Sequence, residues 1–199
     1  MVELNDNPFR KALSADPAPL GLSAFAFTTF LLSFQNAGLL GTHTSDVVVP
    51  LAMAYGGLGQ LIAGSWEMRK GNTFGFTAFS SYGAFWLFYA FLNIFGGMGI
   101  LGPLQPAEIG WALVLWGIFT FMMWFGSMFT NTTLFLTFLT LWIAFVALGA
   151  GAIYASTAAT MVGGIFGLLA AFFAAFTAFA IIVNSFKPNT IPVGPPILK

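Results

Sequence analysis

Residues 109–186 read IGWALVLWGIFTFMMWFGSMFTNTTLFLTFLTLWIAFVALGAGAIYASTAATMVGGIFGLLAAFFAAFTAFAIIVNSF, and none of these 78 positions is Asp, Glu, Lys, Arg or His. A water-soluble domain of this size needs charged side chains on its surface, so the stretch belongs in a bilayer. A crossing helix takes about 20 mostly apolar residues, and the interval therefore holds about three spans with the turns between them. The rest of the chain is of the same kind: 58% of its 199 residues are hydrophobic, 25 are Phe, mean hydropathy is +0.90, and six Lys and Arg face six Asp and Glu. Soluble domains carry about a quarter charged residues. The charges here gather in the N-terminal tail, near position 46, at 67–70, at 108 and in the C-terminal tail, which is the punctuation of a polytopic protein. The first nineteen residues are polar, hold Pro8, Pro17 and Pro19, and lack an apolar core followed by a small-residue cleavage site, so no cleaved signal is expected. The absence of cysteine excludes disulfides, thiol catalysis and cysteine-ligated metals.

Apolar runs between breakers predict an all-α membrane protein with six transmembrane helices, over Leu20–Leu40, Val47–Trp66, Thr77–Gly97, Glu108–Met128, Thr132–Gly151 and Thr160–Val183. Residues 1–19 and 187–199 are read as tails flanking a six-helix domain over 20–186. The breaks run through Gly41-Thr-His-Thr-Ser-Asp46, Arg69-Lys-Gly-Asn72, and Gly96-Gly-Met-Gly99 on to Pro103 and Pro106; Lys187-Pro-Asn-Thr190 follows the last span. The fourth break, near Asn131, is so short that the fourth and fifth helices are expected to be antiparallel neighbours. With six spans, Arg10, Lys11, Arg69, Lys70, Lys187 and Lys199 fall on one side and no Lys or Arg on the other. Cations stay on the cytoplasmic side, so both termini are expected there, in the plasma or inner membrane of the cell.

Small residues recur at four-residue spacing as Ala52, Gly56 and Gly64 in the second span, with Gln60 between them, and as Gly163, Gly167, Ala171 and Ala175 in the sixth. Such stripes let helix backbones approach closely in lipid. Packing inside one bundle is the first expectation, and subunit contacts are the second.

Charges are nearly absent at membrane depth, so ion-pair pumping and voltage sensing are not expected. The intramembrane polar groups are neutral: Thr28, Thr29, Ser33, Gln35 and Asn36, then Gln60, then Ser80, Ser81 and Asn93, then Thr137 and Thr140. Hydroxyls and amides of this kind line a wet path, although Ser and Thr often bond a carbonyl one turn back in their own helix. Gln60 and Asn36 are the better path candidates, because a primary amide cannot satisfy all its groups within its own helix. Glu67, beside Arg69 and Lys70, reads as a solvated interfacial charge with a cationic partner, and a vestibule or proton-linked role is the alternative. His43, the single histidine, sits beside Asp46 and reads as a loop residue. No carboxylate pair, histidine cluster or phosphate-binding glycine loop is present, so neither an enzyme, a cofactor, a metal site nor a nucleic-acid partner is expected.

Two stretches resemble a known family. Asp16-Pro-Ala-Pro-Leu-Gly-Leu22 resembles the Asn-Pro-Ala-Pro-Leu-Gly-Leu signature of the acetate uptake transporter family, of the bacterial succinate–acetate permease type. Gly71-Asn-Thr-Phe-Gly75, with Thr77-Ala-Phe-Ser-Ser-Tyr-Gly83 and Phe85-Trp86, is similar to the family's loop into its third helix; Tyr55-Gly-Gly57 with Gln60 and Gly64, and Leu115-Trp-Gly-Ile-Phe-Thr120, resemble its second and fourth helices. The resemblance implies a six-helix protomer in a homohexamer, a separate path through each protomer, and movement of acetate, related monocarboxylates or succinate, with protons as possible co-substrates. It implies an apolar constriction of Phe, Tyr and Leu, which falls on Phe25, Tyr82 and Leu141, the last in Leu139-Thr-Leu-Trp142. The signature's Leu20, Gly21 and Leu22 are expected on the substrate path with Thr28, Asn36, Gln60 and Glu67, and Ala174 aligns with a family position near it. Asp16 departs from the family's Asn and sets a negative charge at the inner mouth, where it would disfavour an anion. Phe25, Tyr82 and Leu141 lie about five, five and nine residues into helices that run the same way, hence about 8–14 Å from one boundary at 1.5 Å per residue.

The function expected is therefore transport of acetate and similar small carboxylates, channel-like or proton-coupled. One rival is a channel for a neutral or cationic solute such as ammonia, which acetate would not compete. A second is a sensor of organic acids that conducts nothing, against which the short loops and tails argue.

Overall fold

The computed structural model describes residues 15–198, and six helices within them are long and apolar enough to cross a membrane. They are α1 (Ala18–Asn36), α2 (Thr44–Lys70), α3 (Thr73–Gly97), α4 (Pro106–Ser127), α5 (Thr132–Ile153) and α6 (Thr157–Phe186). This is a multi-pass, all-α membrane protein. Arg10, Lys11 and Lys199, three of the six cations expected on the cytoplasmic side, lie outside the described residues.

Five of the six helices, all but α2, begin where the sequence supplies a side-chain acceptor for a backbone N–H at the helix start. The Asp16 carboxylate accepts the Ala18 N–H at 3.0 Å. Asn72 accepts from Gly75 at 3.1 Å, Asn131 from Leu134 at 2.9 Å and Ser156 from Ala159 at 3.3 Å. Ahead of α4, the Glu108 carboxylate reaches back to the Gln105 N–H at 3.0 Å, half of a reciprocal capping box.

α2 and α3 run closer together than hydropathy predicts. Gly71 takes a left-handed φ of 79° and Asn72 caps the next helix, so two residues suffice for the reversal. Glu67 to Lys70 therefore stay helical, and the reading of Glu67 as a solvated charge is corrected: it has no exposed surface. Asn72 Nδ2 donates to its Oε2 at 2.7 Å, while Oε1 has no hydrogen-bond partner among the described residues. The neighbouring cations are engaged elsewhere, Lys70 with Asp16 at 3.0 Å and Arg69 over the Trp66 ring at 5.1 Å. The Lys70 pairing answers the Asp16 substitution, because the added charge has a partner of opposite sign.

Within α2 the backbone widens to π-helical turns over Ala52–Gly59, directly after Pro50, which has no N–H to donate. The glycines here are packing residues. A β-carbon on Gly56 would lie 2.8 Å from Trp86 of α3 and 2.9 Å from the Thr28 hydroxyl of α1. One on Gly83 would lie 2.9 Å from the Gly57 carbonyl. The stripe on α6 likewise faces partners within the chain, Gly163 against Leu148 and Gly167 against Ser33.

α1 packs on α2 and on α6, α6 on α5, α5 on α4, and α2 on α3. α3 and α4 close the ring mainly through aromatic side chains, Trp116 standing 6.1 Å from Tyr82 and 5.2 Å from Phe85 between ring centroids. Large rings rather than close backbones fill this seam, and the cavities described below border it. After α6 the chain folds back. Asn184 holds both backbone groups of Ile191 at 2.9 Å, the Thr133 N–H donates to Val193, Thr132 Oγ1 to Pro195, and the Ile197 and Leu198 N–H groups to the Met128 carbonyl. Residues 191–198 thus clasp the α4–α5 turn.

Candidate functional site

Phe25, Tyr82 and Leu141 lie seven, nine and nine residues from the starts of α1, α3 and α5, so they sit at matching depth, about 10–14 Å along parallel helices. All three are buried, and the Phe25 and Tyr82 ring centroids are 5.9 Å apart. Tyr82 is held from the side by α4. Its hydroxyl donates to Thr120 Oγ1 at 2.9 Å, and Thr120 in turn donates to the Trp116 carbonyl at 2.7 Å. Phe119 and Phe138 complete the packing at 5.6 and 6.1 Å between ring centroids.

Two cavities meet at this level. The larger, about 290 Å³, extends toward the Asn36 end of α1 between α1, α3, α4, α5 and α6. The smaller, about 20 Å³, lies on the opposite side, where Leu22, Gln60, Ala78, Phe79, Thr137 and Phe138 line it, and it has room for about one water. Among the described residues the two linings share Phe25, Tyr82 and Leu141 and no other. These three side chains form an apolar neck.

The larger cavity is mostly aromatic and aliphatic, with a polar strip on one face of α1. Thr29, Ser33 and Asn36 follow Phe25 at spacings of four, four and three, which keeps them in line on a helix. Thr28, Thr120, Thr137, Thr140 and Thr177 each give their hydroxyl to a carbonyl one turn back. Thr29 does not, and its buried Oγ1 is without a partner among the described residues, as is Trp86 Nε1 across the cavity. Gln35, also on this lining, accepts from Ser45 at 2.9 Å.

Of the residues singled out from the sequence, the fold brings Phe25, Tyr82 and Leu141 together, with Asn36 on the larger side and Leu22 and Gln60 on the smaller. Leu20, Gly21, Thr28, Glu67 and Ala174 line neither cavity. Leu20 is on the outer surface, Gly21 lets Phe79 approach its backbone, Thr28 packs beside Gly56, Ala174 is sealed in the core, and Glu67 closes the α2–α3 turn. Thr120 was missed. Its signal is its depth, seven residues before the end of α4, which matches the neck when counted from the same side of the bundle.

Comparison with known proteins places this geometry. The model of the GPR1/FUN34/yaaH family matches residues 2–195. The chain is 45% identical over 186 residues to Acetate permease A of Emericella nidulans, covering 86% of this chain and 62% of that protein. It is 41% identical over 172 residues to Ammonia transport outward protein 2 of Saccharomyces cerevisiae, covering 83% and 61%. The chain thus spans about three fifths of these fungal relatives. Against the Succinate-acetate/proton symporter SatP of Escherichia coli the identity is 35% over 181 residues, 90% of this chain and 95% of the other. The solved structure of the bacterial acetate channel SatP superimposes with a TM-score of 0.87 at 35% identity, covering 91% of this chain and 99% of that one.

Proposed function

The chain belongs to the GPR1/FUN34/yaaH family, and we propose that it carries acetate and related small carboxylates, succinate among them, across the membrane along a path through its own six helices. The observation that carries this reading is the pair of cavities that meet only at Phe25, Tyr82 and Leu141. A carboxylate cannot cross hydrocarbon unaided, because stripping water from an ion costs far more than one contact returns. A short apolar neck, with neutral hydrogen-bonding groups on either side, narrows the dry stretch to a few ångströms and excludes hydrated ions by dewetting and size.

In this reading the larger cavity opens outward and the smaller one faces the cytoplasm, where the cation distribution sets Lys70 and Lys187. The protein sits in the plasma or inner membrane. It works without a catalytic step and assembles as a homohexamer with one path per protomer. Apolar side chains on the outside of α4, Trp111, Leu115, Ile118, Met122 and Phe125, face lipid or neighbouring copies. Thr29, Ser33 and Asn36 lead the solute down α1 to the neck, and Leu22 and Gln60 receive it beyond.

The test is uptake of labelled acetate into liposomes carrying the purified protein, at outside pH 5 and 7, with and without a proton gradient. Saturable entry that unlabelled acetate and succinate compete supports the reading; accumulation above equilibrium under the gradient marks symport, and equilibration alone marks a channel. A path for ammonia would ignore competing acetate, and a protein that admits no solute would be a sensor.

A further inference from the structure

Among the polar side chains of the smaller cavity, Gln60 stands apart. Tyr82 gives its hydroxyl to Thr120 and Thr137 gives its own to the Thr133 carbonyl. Gln60 makes no side-chain hydrogen bond among the described residues, its Oε1 is buried without a partner, and the residue is 1% exposed. A buried primary amide left unengaged is uncommon, since nearly all such groups find partners. Both of its functions are free, so the amide offers the same donor–acceptor edge whichever way it is turned.

The chemistry of the amide selects its ligand. It presents an acceptor and a donor side by side on one edge. An ionised carboxylate offers acceptors only: one oxygen would take the amide N–H while the other faced the lone pairs of Oε1. A protonated carboxylic acid offers an O–H and a C=O side by side. It closes a two-point ring with the amide, acid O–H to Gln60 oxygen and Gln60 N–H to acid carbonyl. Among the described residues the lining contains no cation to hold an ionised head group. Its single titratable member is Tyr82, engaged with Thr120, while Glu67, Lys70 and Asp16 lie toward the end of α2 outside the lining. Deepening the transport reading, on which it rests, we propose that Gln60 is the recognition site for the neutral, protonated acid as its carboxyl head emerges from the neck and widens a cavity that otherwise has room for about one water, its hydrocarbon part still between Phe25, Tyr82 and Leu141. One proton then travels with each acid molecule as its own O–H and is released to water past the Lys70 end.

Acetamide tests this directly, because it has the shape of acetic acid and carries a donor and an acceptor at every pH. Inhibition of labelled acetate uptake by acetamide is measured in liposomes at pH 5 and 7 for the wild-type chain, Gln60→Leu and Gln60→Met, the last close in volume and without an amide. Acetamide is expected to inhibit the wild-type chain at the same concentration at both pH values, and at least about tenfold less well in either variant. If one variant fails to fold, the other carries the comparison, and a rise in the wild-type melting temperature with acetamide provides a second readout. Saturable acetate uptake that acetamide leaves untouched, or equal inhibition in the variants, would overturn the proposal while the transport reading stands. A wild-type chain that passes no acetate at all would overturn the transport reading and this proposal with it.

Discussion

Leu141→Ala is the sharpest perturbation of the neck. Leu141 is 5% exposed and borders both cavities, so the substitution removes three carbons from the point where the cavities are separated. At about 0.8 kcal/mol for each methylene group that must be kept dry, the apolar barrier to a solute whose head group keeps some water falls by at most about 2.4 kcal/mol. With 1.4 kcal/mol for each factor of ten, acetate flux rises by at most about 50-fold, and larger acids that the neck excludes gain proportionally more. The same deletion costs about 2–5 kcal/mol of stability if the surroundings do not collapse into the space, so flux is normalised to folded protein by fluorescence-detected chromatography. The assay is entry of labelled acetate, succinate and a longer monocarboxylate into liposomes at equal protein density. Unchanged exclusion of the longer acid by a folded variant would refute the placement of the barrier at this residue.

Three other outcomes follow from the same geometry. Thr120→Val removes the acceptor of the Tyr82 hydroxyl and leaves that hydroxyl unpaired in the core, so the melting temperature should drop by the equivalent of about 1–3 kcal/mol and selectivity between acids should loosen; Tyr82→Phe with Thr120→Val should recover part of the stability. Gly83→Ala sets a methyl group 2.9 Å from the Gly57 carbonyl and 3.0 Å from the Leu61 nitrogen, both backbone atoms of α2. Overpacking of this kind costs about 1–3 kcal/mol, read as a lower melting temperature, and should shift α3 enough to change acetate flux through the adjacent Tyr82. Glu67→Gln keeps an acceptor for Asn72 and should melt within about 1 kcal/mol of wild type, whereas Glu67→Ala leaves the Asn72 amide unpaired and should lose more; equal loss in both would show that the Asn72 contact is not what holds the α2–α3 turn.

The six spans were legible because hydropathy over about 20 residues is a strong signal. Their ends were less so: the turn at Gly71 and Asn72 saves several residues that a window of apolar character cannot see, and Glu67 was misread with it. The π-helical turns at Ala52–Gly59 left a trace only in Pro50 and the glycines, because the packing partners that make a wide turn worthwhile, Thr28 and Trp86, are remote in sequence. The neck positions were found through resemblance, and nothing in the spacing of Phe25, Tyr82 and Leu141 distinguishes them from other apolar residues until the helices are placed side by side. Among the threonines the difficulty is finer. Thr28 and Thr29 are adjacent and chemically alike, yet one gives its hydroxyl to the Ala24 carbonyl and the other faces a cavity, a difference settled by a rotation of about 100° around α1.

The clasp of residues 191–198 over the α4–α5 turn has a consequence in time. Helices enter the bilayer in the order of synthesis, and the groups that fasten Met128, Thr132 and Thr133 are made more than sixty residues after the turn itself. Until then α5, with Leu141 on it, is anchored at that end only by the neighbouring helices. This stretch follows all six helices and closes the turn, so a chain stalled before it would insert all six helices and still leave the neck unsecured on one side.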